Sequence, residues 1–237
     1  MNVLVAITSW NQNHEQYLQT VLNNYTASFA DVSMSYVLSI NYTSSMTLPP
    51  NTTQLTKSYN SSNYCWNNHN YINANFKGYD YIINSDDDIL VTRDNFNYYV
   101  SASNQLSHSY IPGFLSVEMP DTGSPYLLTM TPRLARFKIK SVESGSYFVP
   151  MNIHSACSIV DTGRYEHALS RSLSRCPFTS SGYNSNDLAR TDIYRGCNFT
   201  KVISYEAVKS GSALVQHLPN KYWNKQHAKN QRLNHIF

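Results

Sequence analysis

The stretch "YDYIINSDDDILV", residues 79–91, decides how this chain is read. An apolar run through Tyr81, Ile82 and Ile83 ends in three consecutive aspartates, Asp86, Asp87 and Asp88. A short run of this kind is the pattern of a strand buried on both faces. Adjacent carboxylates repel one another, and burial makes that repulsion costly. A divalent cation with oxygen ligands relieves it. Acidic clusters in surface turns mostly bind nothing, and the strand in front of this one is what sets it apart. A calcium loop of the EF type is excluded, because its central Gly and its twelfth-position Glu are missing.

Working outward toward the N-terminus, "NVLVAIT" at 2–8 reads as a first buried strand. Tyr17, Leu18, Val21, Leu22 and Tyr25 recur at helical spacing, so a helix comes next. "VSMSYVLSIN" at 32–41 reads as a second strand, and 42–63, with its Pro-Pro pair, as an irregular loop. "WNNHNYINANFKG" reads as a helix stopped at Gly78. Strand, helix, strand, helix, strand is the rhythm of an α/β fold with a doubly wound, mostly parallel central sheet and flanking helices. Ligands of such sheets bind at the carboxyl ends of the strands. Asp86 to Asp88 lie at one such end, "TSWN" at a second and "NYT", from Asn41, at a third.

Beyond the aspartates, "DNFNYYVSASNQL" predicts a helix, and "GFLSVEM" and "YLLTMTP" predict strands. The stretch 131–150 receives no assignment. "HSACSIVDTGRYEHALSRSL" reads as strand then helix, "SNDLARTDIYRG" as a helix, and "FTKVISYEAVKSGSALVQH" as two strands ending at His217. No repeat and no linker interrupts the chain.

Composition narrows the function classes. The chain has 237 residues, 41% of them hydrophobic, which is enough for one sizeable core. Charged residues are only 14%, while there are 19 tyrosines and three tryptophans, flat rings with polar tips that suit sugars and nucleobases as well as ordinary packing. The net charge of +3 is too small for a nucleic-acid groove, so no nucleic-acid partner is expected. The basic stretch 218–237 reads as a solvated tail. Cys65, Cys157, Cys176 and Cys197 form no CxxC pair, so a zinc knuckle is not expected. No apolar run has the ~18 residues of a membrane span, and "MNVLVAITSW" reads as a strand and not as a signal peptide. These features lead to the expectation of free thiols and a cytoplasmic location. There is no GxSxG, GxGxxG or GxxxxGK[ST].

The aspartate stretch resembles the DxD region of GT-A glycosyltransferases, with Asp86 and Asp88 as the outer acids. The second half is similar to the family-2-like members of that group. "SIVDTGRYEHAL", "SNDLARTDIYRG" and "ISYEAVKSGSALVQH" follow one another in the order of their strand, acidic helix, strand and late histidine. The usual Glu-Asp pair stands here as Asn186-Asp187. The resemblance implies one GT-A type domain over 1–217, with a nucleotide-binding half of about 1–100 and an acceptor half of about 101–217. It implies a nucleotide-sugar donor, UDP above the others, and a glycan or glycoprotein acceptor. Thr8, Ser9 and Trp10 would line the base pocket, with Asn41 beside them. Asp86 would meet the ribose or the metal, Asp88 and His217 would be metal ligands, and Asp87 would support Asp88. A shell of Asp and His suits Mn better than Mg.

Asp187 has two readings. As a catalytic base it would take the acceptor's proton and give inversion. As the N-cap of its own helix it would leave a retaining mechanism open. His217 is either a ligand or a hydrogen-bonded histidine at a strand end. The Asn- and Tyr-rich composition is also similar to that of glycosyltransferases of large DNA viruses, which would place the chain in a host cytoplasm. Two rival functions remain open: a GT-A-shaped module that binds sugar or nucleotide without turnover, and a phosphoryl-transfer enzyme. The latter needs further acids. Glu118 and Asp121 are the candidates, and the strand assignment places both poorly.

Overall fold

The computed structural model describes residues 1–9, 11–56, 64–119, 126–127, 138–141, 146–150, 157–172 and 199–219. Among the described residues, five strands form the central sheet: β1 (Asn2–Ser9), β2 (Ser33–Ile40), β3 (Thr52–Thr56), β4 (Tyr81–Asp86) and β11 (Cys157–Asp161), in the order β11-β4-β1-β2-β3. β1 to β4 run parallel, and β11 closes the β4 edge antiparallel. Val3 to Ile7 of β1 are fully buried, as a central parallel strand covered on both faces must be. This is a mixed α/β domain with a mostly parallel sheet and flanking helices.

Helix α1 (Glu15–Ser28) buries Leu18, Val21, Leu22 and Tyr25 on one face of the sheet. α3 (Arg93–Gln105) joins it there, with Phe96 edge-on to Phe29 and to Tyr81. α2 (Tyr64–Asn75) covers β1 and β2 from the other face. From β1 the chain moves to β2 on one side, then later returns to β4 on the other side. The carboxyl ends of β1 and β4 therefore flank the point where the strand order reverses, the place where open α/β sheets bind ligands.

The structure adds elements that the sequence reading did not assign, among them the strands Ile89–Leu90 and Tyr110–Pro112. The loop expected over 42–63 contains strand β3, paired with β2 from Tyr36↔Thr52 to Ile40↔Thr56. Its residues, TTQLT, are β-branched and polar, which fits a short edge strand with one neighbour. Asn51 turns the chain into it at φ 61, a left-handed conformation that Asn tolerates. The unassigned stretch 131–150 contributes β9 (Lys138–Ser141) and β10 (Ser146–Val149), an antiparallel pair. Between the last two strands, β12 (Thr200–Ser204) and β13 (Leu214–His217), stands a short helix α5 (Tyr205–Ser210). Ser204 caps its start, and Gly211 ends it at φ 86, where an L side chain would be strained. Of "YLLTMTP", Tyr126–Leu127 form strand β8, and the rest lies outside the described residues.

Among the described residues there are two smaller sheets. β6 (Tyr110–Pro112) joins β12, β10 and β9, and β5 (Ile89–Leu90) joins β13, β7 (Leu115–Glu118) and β8. α4 (Thr162–Ser172) comes directly after β11.

The core also takes in a lysine. Lys201 on β12 is 2% exposed, and its stem lies across Gly113, where a Cβ would sit 2.3 Å from Lys201 Cε. Burial lowers its pKa from 10.5 to about 8, against a smaller opposing influence of Cys157. Below pH 8 the lysine is charged in both states, and its burial penalty is present in full. Between pH 8 and 10.5 the unfolded chain holds the proton and the folded chain does not, so stability rises with pH there. Wild type should therefore gain up to about 1.4 kcal/mol per pH unit over Lys201→Met in this window. Urea unfolding of both proteins at pH 7, 8, 9 and 10 measures this, and parallel curves would contradict it.

Candidate functional site

The aspartate triplet lies where the sequence placed it, at the end of β4, and the strand's alternation divides it. Asp86 is opposite Thr8 in register and shares that residue's face. Thr8 is buried there and accepts a hydrogen bond from Asn68 of α2 at 3.0 Å, while Ser39 donates to Asn68 Oδ1 at 2.6 Å. Asp87 begins the turn with its N–H bonded to Thr8 O at 3.2 Å, and its side chain meets the other face. Ser9 Oγ donates to Asp87 Oδ2 at 2.5 Å and contacts Tyr42 Oη at 2.9 Å. His14 Nδ1 stands 3.2 Å from Asp87 Oδ1 and 3.8 Å from Asp88 Oδ2.

His217 arrives from far along the chain. Asn95, in the capping box of α3, donates to the carbonyls of Ser212 and Leu214 at 2.9 and 2.8 Å and so fixes the start of β13. β13 pairs with β5 through His217↔Ile89, and Leu218 N–H bonds Asp88 O at 2.9 Å. This sets His217 Nε2 3.3 Å from Asp88 Oδ2. β7 runs parallel on the other side of β13 and carries Glu118, whose Oε1 lies 2.9 Å from His217 Nδ1. Glu118 is fully buried, and Asp87, Asp88 and His217 are nearly so.

Burial is the largest influence on Asp87 and raises its pKa. The Asp88 charge adds to the rise, while hydrogen bonds from His14 and Ser9 offset part of it. The side chains thus hold negative charge in a place that disfavours it, next to imidazole nitrogens. One ligand atom each of His14, Asp87 and Asp88 lies within 4.8 Å of the other two. Carboxylate oxygens and imidazole nitrogens form a donor set suited to a first-row divalent ion.

Of the sequence-predicted residues, Thr8, Ser9, Asp86, Asp87, Asp88 and His217 meet at this end of the sheet. Asn41 lies just past β2 and is exposed. Trp10 and Asp187 lie outside the described residues, as does Asp121. Glu118, which the strand assignment placed poorly, is a direct partner of His217. Sequence reasoning passed over His14, Tyr42 and Asn68. A signal for His14 existed, because every residue between β1 and α1 belongs to a loop at the carboxyl end of the sheet. The same loop region is tied together by Glu15, which accepts from Ser44 Oγ at 2.6 Å and Ser45 N at 3.1 Å.

No protein-family model matches this chain, and no curated protein is similar to it in sequence. Among solved structures it is similar to 4-diphosphocytidyl-2C-methyl-D-erythritol synthase from Anaerococcus prevotii, with a TM-score of 0.45 and 9% identity over 99% of this chain and 94% of that one. The likeness is too distant to bear on function. Among the described residues, no helix is long and apolar enough to cross a membrane.

Proposed function

We propose that this chain is a GT-A type glycosyltransferase, which moves a sugar from a nucleotide-sugar donor, UDP-linked, to a hydroxyl of a glycan or glycoprotein. The observation that carries the reading is the meeting of Asp87, Asp88 and His217 at the carboxyl ends of β1 and β4, where the strand order reverses. Thr8 and Ser9 end the strand beside this point and, with Asn41 and Trp10, would form the wall on which the base rests. Asp86, on the Thr8 face, would meet the ribose hydroxyls. Asp88 and His217 would hold a divalent ion, Mn in preference to Mg, over the donor's diphosphate. When bound, that ion stabilises the charge that grows on the departing nucleoside diphosphate.

The protein's own groups do the remaining work. Ser9 and Tyr42 hold Asp87 in one orientation, and Glu118 holds His217. Such anchoring keeps the shell ready before the donor arrives, so little reorganisation accompanies bond breaking. Asp187 is the residue proposed to take the acceptor's proton, which would give inversion.

A thermal-shift series with UDP, GDP, CDP and dTDP, each with and without Mn, tests the donor site. A ligand at about 100 times its Kd adds about 2.7 kcal/mol, which for a chain of this size raises the melting temperature by about 5–10 °C. The expected result is a shift with UDP that requires Mn. A well-folded protein that shifts with no nucleotide would contradict the reading.

A further inference from the structure

We infer that Glu15 is a positioning residue: its carboxylate fastens the connection between β2 and β3 at the carboxyl ends of the central strands and couples that connection to Asp87. The inference rests on the donor site proposed above and adds a residue that governs nucleotide affinity without touching the nucleotide.

The connection is an extended segment laid on the strand ends. Tyr42, Ser44, Met46 and Leu48 are half-buried, while Thr43, Ser45 and Thr47, which alternate with them, are exposed. A period of two marks an extended chain with one face on a surface. Tyr42, Met46 and Leu48 pack against the core. Polar ties hold the segment at three points. At its far end, Thr52 Oγ1 donates to Pro49 O at 2.6 Å. In the middle, Glu15 Oε1 accepts from Ser44 Oγ at 2.6 Å and from Ser45 N–H at 3.1 Å, and Ser44 Oγ accepts from Met46 N–H at 3.1 Å. At the near end, Tyr42 Oη lies 2.9 Å from Ser9 Oγ. The middle tie has an ionised acceptor, which makes it the strongest kind of the three.

These ties close a ring. From Asp87 the contacts run to Ser9, to Tyr42, along the connection to Ser44, and on to Glu15. One residue back along the chain is His14, whose Nδ1 stands 3.2 Å from Asp87 Oδ1. The ring joins the end of β1, the turn after β4, the connection and the start of α1. Residues that share one hydrogen-bond network respond together, so a shift of the connection reaches Asp87 from two directions. With the ring closed, the connection is in place before a nucleotide arrives, and no loop has to be ordered on binding.

The test combines amide hydrogen exchange with calorimetric titration of UDP in the presence of Mn, both on the full chain. Glu15→Ala should speed exchange at Ser45 and Met46 at least ~10-fold and weaken UDP about 10-fold, because a hydrogen bond to a charged group is worth a factor of ten or more. Glu15→Gln keeps a neutral acceptor and should recover part of both. Ser44→Ala leaves the acidic residue in the first turn of α1, where it favours the helix dipole. It should reproduce the losses, which separates the tie from the stability of α1. Glu15→Ala combined with Tyr42→Phe should weaken UDP by less than the product of the single effects. Unchanged exchange at Ser45 and Met46 in Glu15→Ala would overturn the inference. Faster exchange with wild-type UDP affinity would overturn it too, as the pattern of a merely structural tie. If wild type binds no nucleotide, the transferase reading fails, and urea unfolding of the same double-mutant cycle decides the ring: losses smaller than additive support it, and additive losses overturn it.

Discussion

Asp88→Ala should lower Mn-dependent turnover of a UDP-sugar at least ~10³-fold without lowering the melting temperature of the metal-free protein. Asp88 is the residue on which the site converges: His14 approaches it at 3.8 Å, His217 at 3.3 Å, and its carbonyl holds Leu218. Its loss removes the oxygen shared by both imidazoles. Lewis-acid stabilisation of the leaving diphosphate amounts to several kcal/mol, and each 1.36 kcal/mol is a factor of ten in rate. Stability should not track activity. Asp88 crowds Asp87, whose pKa is raised first by burial and further by that charge. Removing a neighbouring carboxylate relieves a metal-free site, so the variant should melt at the wild-type temperature or above it. Initial rates of UDP release across a panel of UDP-sugars, with melting curves in a chelator, measure both halves. A variant that melts well below wild type but turns over at the wild-type rate per folded molecule would mean that Asp88 is a structural residue.

The second large effect is on stability and lies away from the site. Arg164→Ala should cost about 3–5 kcal/mol, as expected for breaking a buried ion pair by removing one partner. Arg164 is 4% exposed, and its guanidinium gathers the end of α3 and the segment that leads from it into β6. It donates to the carbonyls of Ser103 and Leu106 at 2.8 and 2.9 Å and of Tyr110 at 3.0 Å, and it pairs with Asp161 at 2.7 Å. The carbonyls at the end of a helix have no partner within it, and a cation there also meets the negative end of the helix dipole. Lysine has one compact ammonium and cannot reach all of these, so Arg164→Lys should recover only a minor part. Asp161 carries the pH signature. Burial alone would raise its pKa, but hydrogen bonds and charge from Arg164, with the Tyr99 hydroxyl, outweigh that and hold it below 3.8. Its contribution is therefore present above pH 3.8 and lost as pH falls through the depressed value. Urea unfolding at pH 7 and pH 3 should show a gap between wild type and Arg164→Ala that narrows in acid. A gap below about 1 kcal/mol at pH 7 would contradict the account.

The parts of the fold that could be read from sequence are those with strong periodicity. β1 and β4 are apolar runs, and α1 repeats its buried residues at helical spacing through Leu18, Val21, Leu22 and Tyr25. β3 escaped because a five-residue edge strand needs few apolar residues, and its threonines look like loop residues. α5 escaped because six residues are too few to show a period. At the site, the rule that ligands meet strand carboxyl ends was enough to bring Ser9 to the aspartates. His217 was legible through the order of motifs in the second half. Glu118 was not, because its contact depends on the parallel pairing of β7 with β13, which no local pattern records. His14 was hidden as a lone histidine in a short 3-10 turn ahead of α1.

The central claim is that a cation-bound nucleoside diphosphate sits at the carboxyl ends of β1 and β4. The most direct measurement is a crystal structure with Mn and UDP, with anomalous data at the manganese edge. The account predicts one anomalous peak bonded to Asp88 and His217, with the diphosphate on it and the ribose toward Asp86. Manganese elsewhere, or UDP bound away from these strand ends, would contradict it.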